Sequence, residues 1–172
     1  LSSGYFDGVV SNNTVSYSQI EASQKGSAMK VGGHRNVVTG NNIYNAAKGG
    51  ITCYDADDII VTNNVISNFG QIGIEFGDNA GELEDGFNRN IVSNNILNGN
   101  SSFEVKEGIL YKGKTNTDAD CNDVQIIGNV LKLCGQTGYP SIYVGHTDTN
   151  DTRVMSGFNI SGNTIIDPNE QG

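Results

Sequence analysis

Six segments of the chain share one form: an apolar residue, a variable one, Asn or Gly, Asn, a variable residue and an apolar one. They are VVSNNTV from Val9, TGNNIY from Thr39, VTNNVI from Val61, VSNNIL from Val92, IIGNVL from Ile126 and ISGNTI from Ile160. Their final asparagines fall at Asn13, Asn42, Asn64, Asn95, Asn129 and Asn163, at intervals of 29, 22, 31, 34 and 34 residues. Repetition at such intervals is the mark of a stacked repeat, in which one unit cannot bury its apolar side alone.

A second segment follows five of the six. It reads SAMKVG (Ser27 to Gly32), GGITCY (Gly49 to Tyr54), IGIEFG (Ile72 to Gly77), EGILYK (Glu107 to Lys112) and PSIYVG (Pro140 to Gly145). Each is a short strand of period two. Met29, Ile51, Ile74, Ile109 and Ile142 point inward, and so do Val31, Cys53, Phe76, Tyr111 and Val144.

A coil of about 22 residues made of two or three such strands buries its apolar face only when the next coil stacks on it, about 4.8 Å away. Asn suits the corner between strands, since it tolerates the left-handed region and its amide bonds the backbone inside the bend. Stacked in register, these amides bond one another as an internal ladder. The spacing predicts an all-β fold: a right-handed, single-stranded parallel β-helix of about six coils with an internal Asn ladder, one domain over residues 1–172. The interval from Asn42 to Asn64 is the bare coil. Longer intervals are loops, placed after the Asn-containing strands (Ser16 to Gly26, Asn98 to Lys106, Lys132 to Tyr139) or after the second strand (Asp78 to Gly86, Gly113 to Asp120, His146 to Met155). Loops along two edges wall a groove over the sheet between them. No LxxLxL frame, helical period or GGxGxDxUx nonapeptide competes with this reading.

Composition agrees. Small polar residues and 23 glycines stand where charged residues usually would, at 17% charged against about 25% in an average chain. The 19 acidic and 10 basic side chains leave a net charge of −9, which repels phosphate backbones and anionic membranes, so no nucleic acid is expected as a partner. No apolar run reaches the ~18 residues of a membrane span, so no insertion is expected either. Cys53, Cys121 and Cys134 lack CxxC spacing. Cys53 reads as core; Cys121 and Cys134 could meet across a corner. The chain opens on Leu1, and solenoid ends expose strand edges. The expectation is a segment of a longer β-helix, or a chain covered by partners such as the other members of a homotrimer.

The six corners, each but the last followed by a Gly-Ile-like strand, resemble the repeat of parallel β-helix proteins over roughly residues 6 to 166. The repeat occurs in pectate lyases, polygalacturonases, alginate epimerases, other polysaccharide lyases, and phage tailspikes and appendages. The resemblance implies a polysaccharide or cell-surface glycan bound along an outer sheet, and an extracellular or virion-surface location. It does not choose an activity, because one fold hosts many.

Stacking the second strands puts Lys30, Thr52, Glu75, Leu110 and Tyr143 in one outward row and Gly32, Tyr54, Gly77, Lys112 and Gly145 in the next. Gly33, Asp55, Asp78, Gly113 and His146 form a third. Glycoside hydrolysis needs two carboxyls at a set separation, and Asp55, Glu75 and Asp78 are the catalytic candidates. Crowding of like charges would raise one pKa and make a general acid. Lys30, Tyr54, Lys112, Tyr143 and His146 are the substrate-binding candidates, the tyrosines for stacking on sugar faces. The bland alternative is that these are solvated strand ends, on a non-catalytic adhesin or a spacer. A third reading, a uronate lyase or epimerase, would use Lys30, His34 or Arg35. The polygalacturonase motifs NTD, GHG and RIK and the epimerase DPHE are absent: Asp57-Asp58 stands in YDADD, and Gly145-His146 is followed by Thr147. Neither Asn116, Asp118 and Asp120 nor Asp148, Asn150 and Asp151 complete a calcium loop, so no metal or other cofactor is expected.

Overall fold

The computed structural model describes residues 2–3, 7–16, 26–46, 48–77, 87–99, 105–112, 121–136, 138–145 and 155–166, and of Ser2, Ser3 and Asp55 the backbone alone. Among these, the strands form three six-stranded parallel sheets and one two-stranded parallel pair. Sheet A holds Ser2–Ser3, Ser27–His34, Gly49–Asp57, Ile72–Phe76, Ile109–Lys112 and Ile142–Gly145. Sheet B holds Val9–Ser11, Val37–Thr39, Ile60–Thr62, Ile91–Ser93, Gln125–Ile127 and Asn159–Ser161. Sheet C holds Thr14–Ser16, Asn42–Tyr44, Val65–Phe69, Ile96–Gly99, Val130–Lys132 and Thr164–Ile166. The chain runs through B, C and A in turn, and each strand pairs with its equivalent one coil along.

Like residues therefore stack on like. In sheet B the column Val10, Val38, Val61, Val92, Ile126 and Ile160 is continuous. In sheet C it is Val15, Ile43, Ile66, Leu97, Leu131 and Ile165. The central members of both columns are fully buried, and each contributes on the order of 1.5–3 kcal/mol over its exposed state. In sheet A, Met29, Ile51, Ile74 and Ile109 stack as expected, as do Val31, Cys53, Phe76 and Tyr111. Ile142 and Val144 keep the register but are only half-buried, in the last strand of the sheet. The Phe76 and Tyr111 rings stack at 5.1 Å.

The corner between sheets B and C divides its labour between two residues. The first takes the left-handed conformation: Asn12, Gly40, Asn63, Asn94, Gly128 and Gly162, with φ between 54° and 67°. The second turns its amide inward. Asn64 donates from both its backbone N–H and its Nδ2 to Asn95 Oδ1, each at 3.0 Å. Asn95 does the same to Asn129, and Asn129 to Asn163. At the other end the ladder runs from Asn13 to Asn41 to Asn64. Asn41, not Asn42, is thus the ladder member. Asn42 is exposed and opens the strand of sheet C opposite Thr14 and Val65. The reason is local: the left-handed position precedes the ladder position, and Gly40 fills it. The bare coil is accordingly the 23-residue interval from Asn41 to Asn64.

A second corner, between sheets A and B, has no constant residue type. Asp7, Arg35, Asp58, Arg89, Asp123 and Gly157 all have left-handed φ and stack through backbone bonds from one coil to the next. Their side chains alternate in sign. Arg35 holds Asp7 with Nε–Oδ1 2.5 Å and Nη2–Oδ2 3.2 Å, and Arg89 holds Asp58 at 2.7 and 2.9 Å. Two buried asparagines serve this corner: Asn36 Oδ1 accepts from the Gly8 N–H, and Asn90 Oδ1 from the Ile59 N–H. Cys53, Cys121 and Cys134 are free and buried, so Cys121 and Cys134 form no bridge. Of the expected loops, Lys132–Tyr139 is described except for residue 137 and Asn98–Lys106 at both its ends, while the other four lie almost wholly outside the described residues, as do both candidate calcium tips.

Candidate functional site

The outer face of sheet A keeps the expected register through its first two rows. Lys30 pairs with Thr52, Thr52 with Glu75, Glu75 with Leu110 and Leu110 with Tyr143. In the next row Gly32 pairs with Tyr54 and Lys112 with Gly145. Alternation turns these side chains away from the core, and Lys30, Thr52, Tyr54, Glu75, Lys112 and Tyr143 are all half-buried.

The third row departs from expectation. The register shifts after Gly32, so that Gly33 pairs with Ala56 rather than with Asp55. Asp55 is the extra residue of a β-bulge, where one strand carries two residues against its partner's one. The signal was in the sequence: Cys53 and Ala56 are both buried, and two residues between inward positions break a period of two. Asp55 thus leaves the column of Gly33. Asp78 and His146 lie outside the described residues, and so does the proposed Asp55–Asp78 juxtaposition.

The side chains that are described interlock across coils. Ser27 Oγ hydrogen-bonds Thr52 Oγ1, which donates in turn to Glu75 Oε2 at 3.3 Å. The Tyr54 ring lies over Gly32: a methyl group there would come within 2.5 Å of its Cε2. Tyr143 lies against Gly145 in the same way, its hydroxyl 2.9 Å from where a Cβ would stand. Gly32 and Gly145 are therefore seats for rings, which lie down along the sheet instead of standing off it, while Gly77 takes the Glu75 side chain.

One rung is deeper than the rest. Leu110 belongs to the outward row yet is only 9% exposed, and Glu107, three residues before it, only 7%. Glu107 lies in the column of Ser27, Gly49 and Ile72, at the start of the same face. Burial pushes its carboxyl above the usual range; Lys106 and its own backbone N–H oppose this, the Glu75 charge adds to it, and Lys112 opposes it. Glu107 was missed as a candidate because EGILYK reads simply as the start of a strand. Its burial is a property of the stacked coils, which no local pattern records.

The remaining basic side chains are placed differently. Arg35 is committed to Asp7, and His34 Nδ1 lies 3.9 Å from Asp57 Oδ2. Of the residues a lyase would draw on, Lys30 stands on the face and Arg35 in the corner ladder. Among the described residues no group of three or more His, Cys, Asp or Glu could hold a metal.

A family model for the right handed beta helix region matches residues 2–131. No curated protein and no solved structure matches the chain.

Proposed function

Since the chain belongs to the right-handed β-helix family, we propose that it is a glycan-binding β-helix holding an extended polysaccharide along the outer face of sheet A. The observation that carries the reading is the pair of recumbent tyrosines, Tyr54 over Gly32 and Tyr143 against Gly145. Sugars present apolar C–H faces edged with hydroxyls, and an aromatic ring with a polar tip complements both. From the Lys30 strand to the Tyr143 strand the face spans four coil spacings, about 19 Å at ~4.8 Å each, which accommodates several sugar units. Thr52, Glu75, Lys30 and Lys112 supply hydrogen bonds and charge between the rings, and His146, next in sequence after Gly145, is the further substrate-binding candidate. Asp55, Glu75 and Asp78 are the carboxyls available for cleavage of the bound chain. A glycan surface on a cell or virion is the natural setting for such a face.

Affinity electrophoresis through gels containing dextran, polygalacturonate, alginate or bacterial capsular polysaccharide tests this. Retardation in at least one gel is expected, weakened about two- to tenfold by Tyr54→Ala and by Tyr143→Ala, and unchanged by Ile96→Thr on sheet C. Stacking contributions of ~0.5–1.5 kcal/mol per aromatic pair set the range of that loss. Free migration of the native protein in every gel would leave the adhesin and hydrolase readings without support and favour a structural spacer. Products that absorb in the near ultraviolet would favour a lyase.

A further inference from the structure

We propose that the two ends of the solenoid are complementary, so that the last coil of one chain seats the first coil of a second copy, head to tail. The internal ladder is polar along the axis. Each asparagine from Asn13 to Asn129 donates its backbone N–H and its Nδ2 to the Oδ1 of the asparagine one coil on. From Asn41 onward, each also donates from Nδ2 to a sheet B carbonyl of the coil before. Among the described residues, nothing accepts from the Asn163 N–H and nothing donates to Asn13 Oδ1. These are the two halves of one further rung. Across a junction, Asn163 would donate twice to Asn13 Oδ1 of the copy, and that Asn13 would donate to the Ile160 carbonyl.

The backbone and the core ask for the same partner. Val37, Ile60, Gln125 and Asn159 each open a strand of sheet B and donate to the coil before. Val9 holds that place in the edge strand, so its N–H points out along the axis. Thr14 does so in sheet C, where Asn42, Val65, Ile96, Val130 and Thr164 bond back. The same pattern would carry the Val9 and Thr14 N–H groups of the copy to the Phe158 and Asn163 carbonyls. Sheets A, B and C hold six strands each, so one copy continues all three. Ile126 and Leu131 are sealed, whereas Ile160 and Ile165 in the last coil are 48% and 51% exposed. At the coil spacing of ~4.8 Å, Val10 of the copy would cover Ile160 and Val15 would cover Ile165. Open strand edges beside exposed apolar side chains are what a solenoid must cover, and the first coil offers acceptor, donors and apolar residues in the required order. The contact joins two different surfaces, so each addition leaves one of each open and growth continues as a filament.

Sedimentation velocity of the 172-residue chain at rising concentration tests this. The salt is held at about 0.15 M, which screens the repulsion between like-charged chains beyond ~8 Å. Masses climbing through multiples of 18.3 kDa with no fixed end point are expected. Ile165→Lys puts a charge into the contact from one side. Val9→Pro removes, from the other, an N–H without a partner among the described residues, at the first position of an edge strand where proline is tolerated. Both positions are exposed, so the fold should survive, as judged by circular dichroism; Thr14→Pro replaces Val9→Pro if that variant does not fold. Each variant alone should associate more than about tenfold more weakly. Their equimolar mixture keeps one intact pair of ends, and should form a heterodimer and stop there. A monomer at every concentration would overturn the proposal. So would a dimer of either variant alone, the sign that like ends meet, or a closed trimer that Ile165→Lys leaves intact and Ile96→Lys on sheet C disrupts.

Discussion

Asn95 Nδ2 donates to Asn129 Oδ1 at 3.0 Å, and the Asn95 backbone N–H donates to the same oxygen at 3.0 Å. The second Nδ2 hydrogen reaches the Val61 carbonyl at 2.9 Å, and Asn95 Oδ1 accepts two bonds from Asn64 in turn. Each of these groups is sealed from water, so the side chain is as much a part of the backbone's hydrogen bonding as a strand partner is.

Asn95→Ala should therefore destabilise the protein by about 3 kcal/mol or more. It strands the Asn64 amide groups and the Val61 carbonyl, at roughly 1–3 kcal/mol for each buried group left unpaired. Asn42→Ala, at an exposed position one residue beyond the ladder, should change stability by less than about 0.5 kcal/mol. Urea unfolding of the two variants checks the difference, and equal midpoints would contradict the ladder's placement.

Gly128 has φ +67° and its missing Cβ would stand 2.7 Å from Asn94 Oδ1. Gly128→Ala should cost about 1–2 kcal/mol through the left-handed backbone. Gly128→Asn should cost less, because asparagine holds the same position at Asn12, Asn63 and Asn94. Thermal melts order the three proteins: native highest, the Asn variant next, the Ala variant lowest.

Asp58 is held below its ordinary pKa chiefly by the hydrogen bond from Arg89, whose charge assists, with lesser help from Arg35 and His34. A group depressed in the folded state adds stability above its unfolded pKa, ~3.9, and loses it as the pH falls through the folded value. The pair is exposed, so its worth is under about 1 kcal/mol. Asp58→Asn should thus lower stability slightly at pH 6 and converge on the native protein at the acid end of the Asp58 titration. Unfolding free energies across that range, repeated at high salt where the gap should shrink, read it out.

The parts of this molecule legible in its sequence are those in which one chemical type recurs. Asn or Gly followed by Asn marks every turn between sheets B and C, and the inward column from Met29 to Ile142 is visible as a period of two. The choice of Asn42 over Asn41 failed where two asparagines follow Gly40 and either can be aligned. Requiring an Asn or Gly immediately before each ladder residue would have resolved it. The second corner stayed hidden because left-handed backbone there is carried by Asp7, Arg35, Asp58, Arg89 and Asp123, whose fitness lies in alternating charge between coils, not in shared identity. Glu107 stayed hidden for a related reason: its distinction is burial on an outward face, a property of the assembled solenoid.

Hydrogen–deuterium exchange with and without the best-retained polysaccharide tests the central claim most directly. Bound glycan should slow exchange in peptides covering Ser27–His34, Gly49–Asp57, Ile72–Phe76 and Ile109–Lys112, and leave those covering Asn42–Tyr44, Val65–Phe69 and Ile96–Gly99 unchanged. Protection confined to the second set would put the ligand on sheet C and contradict the account.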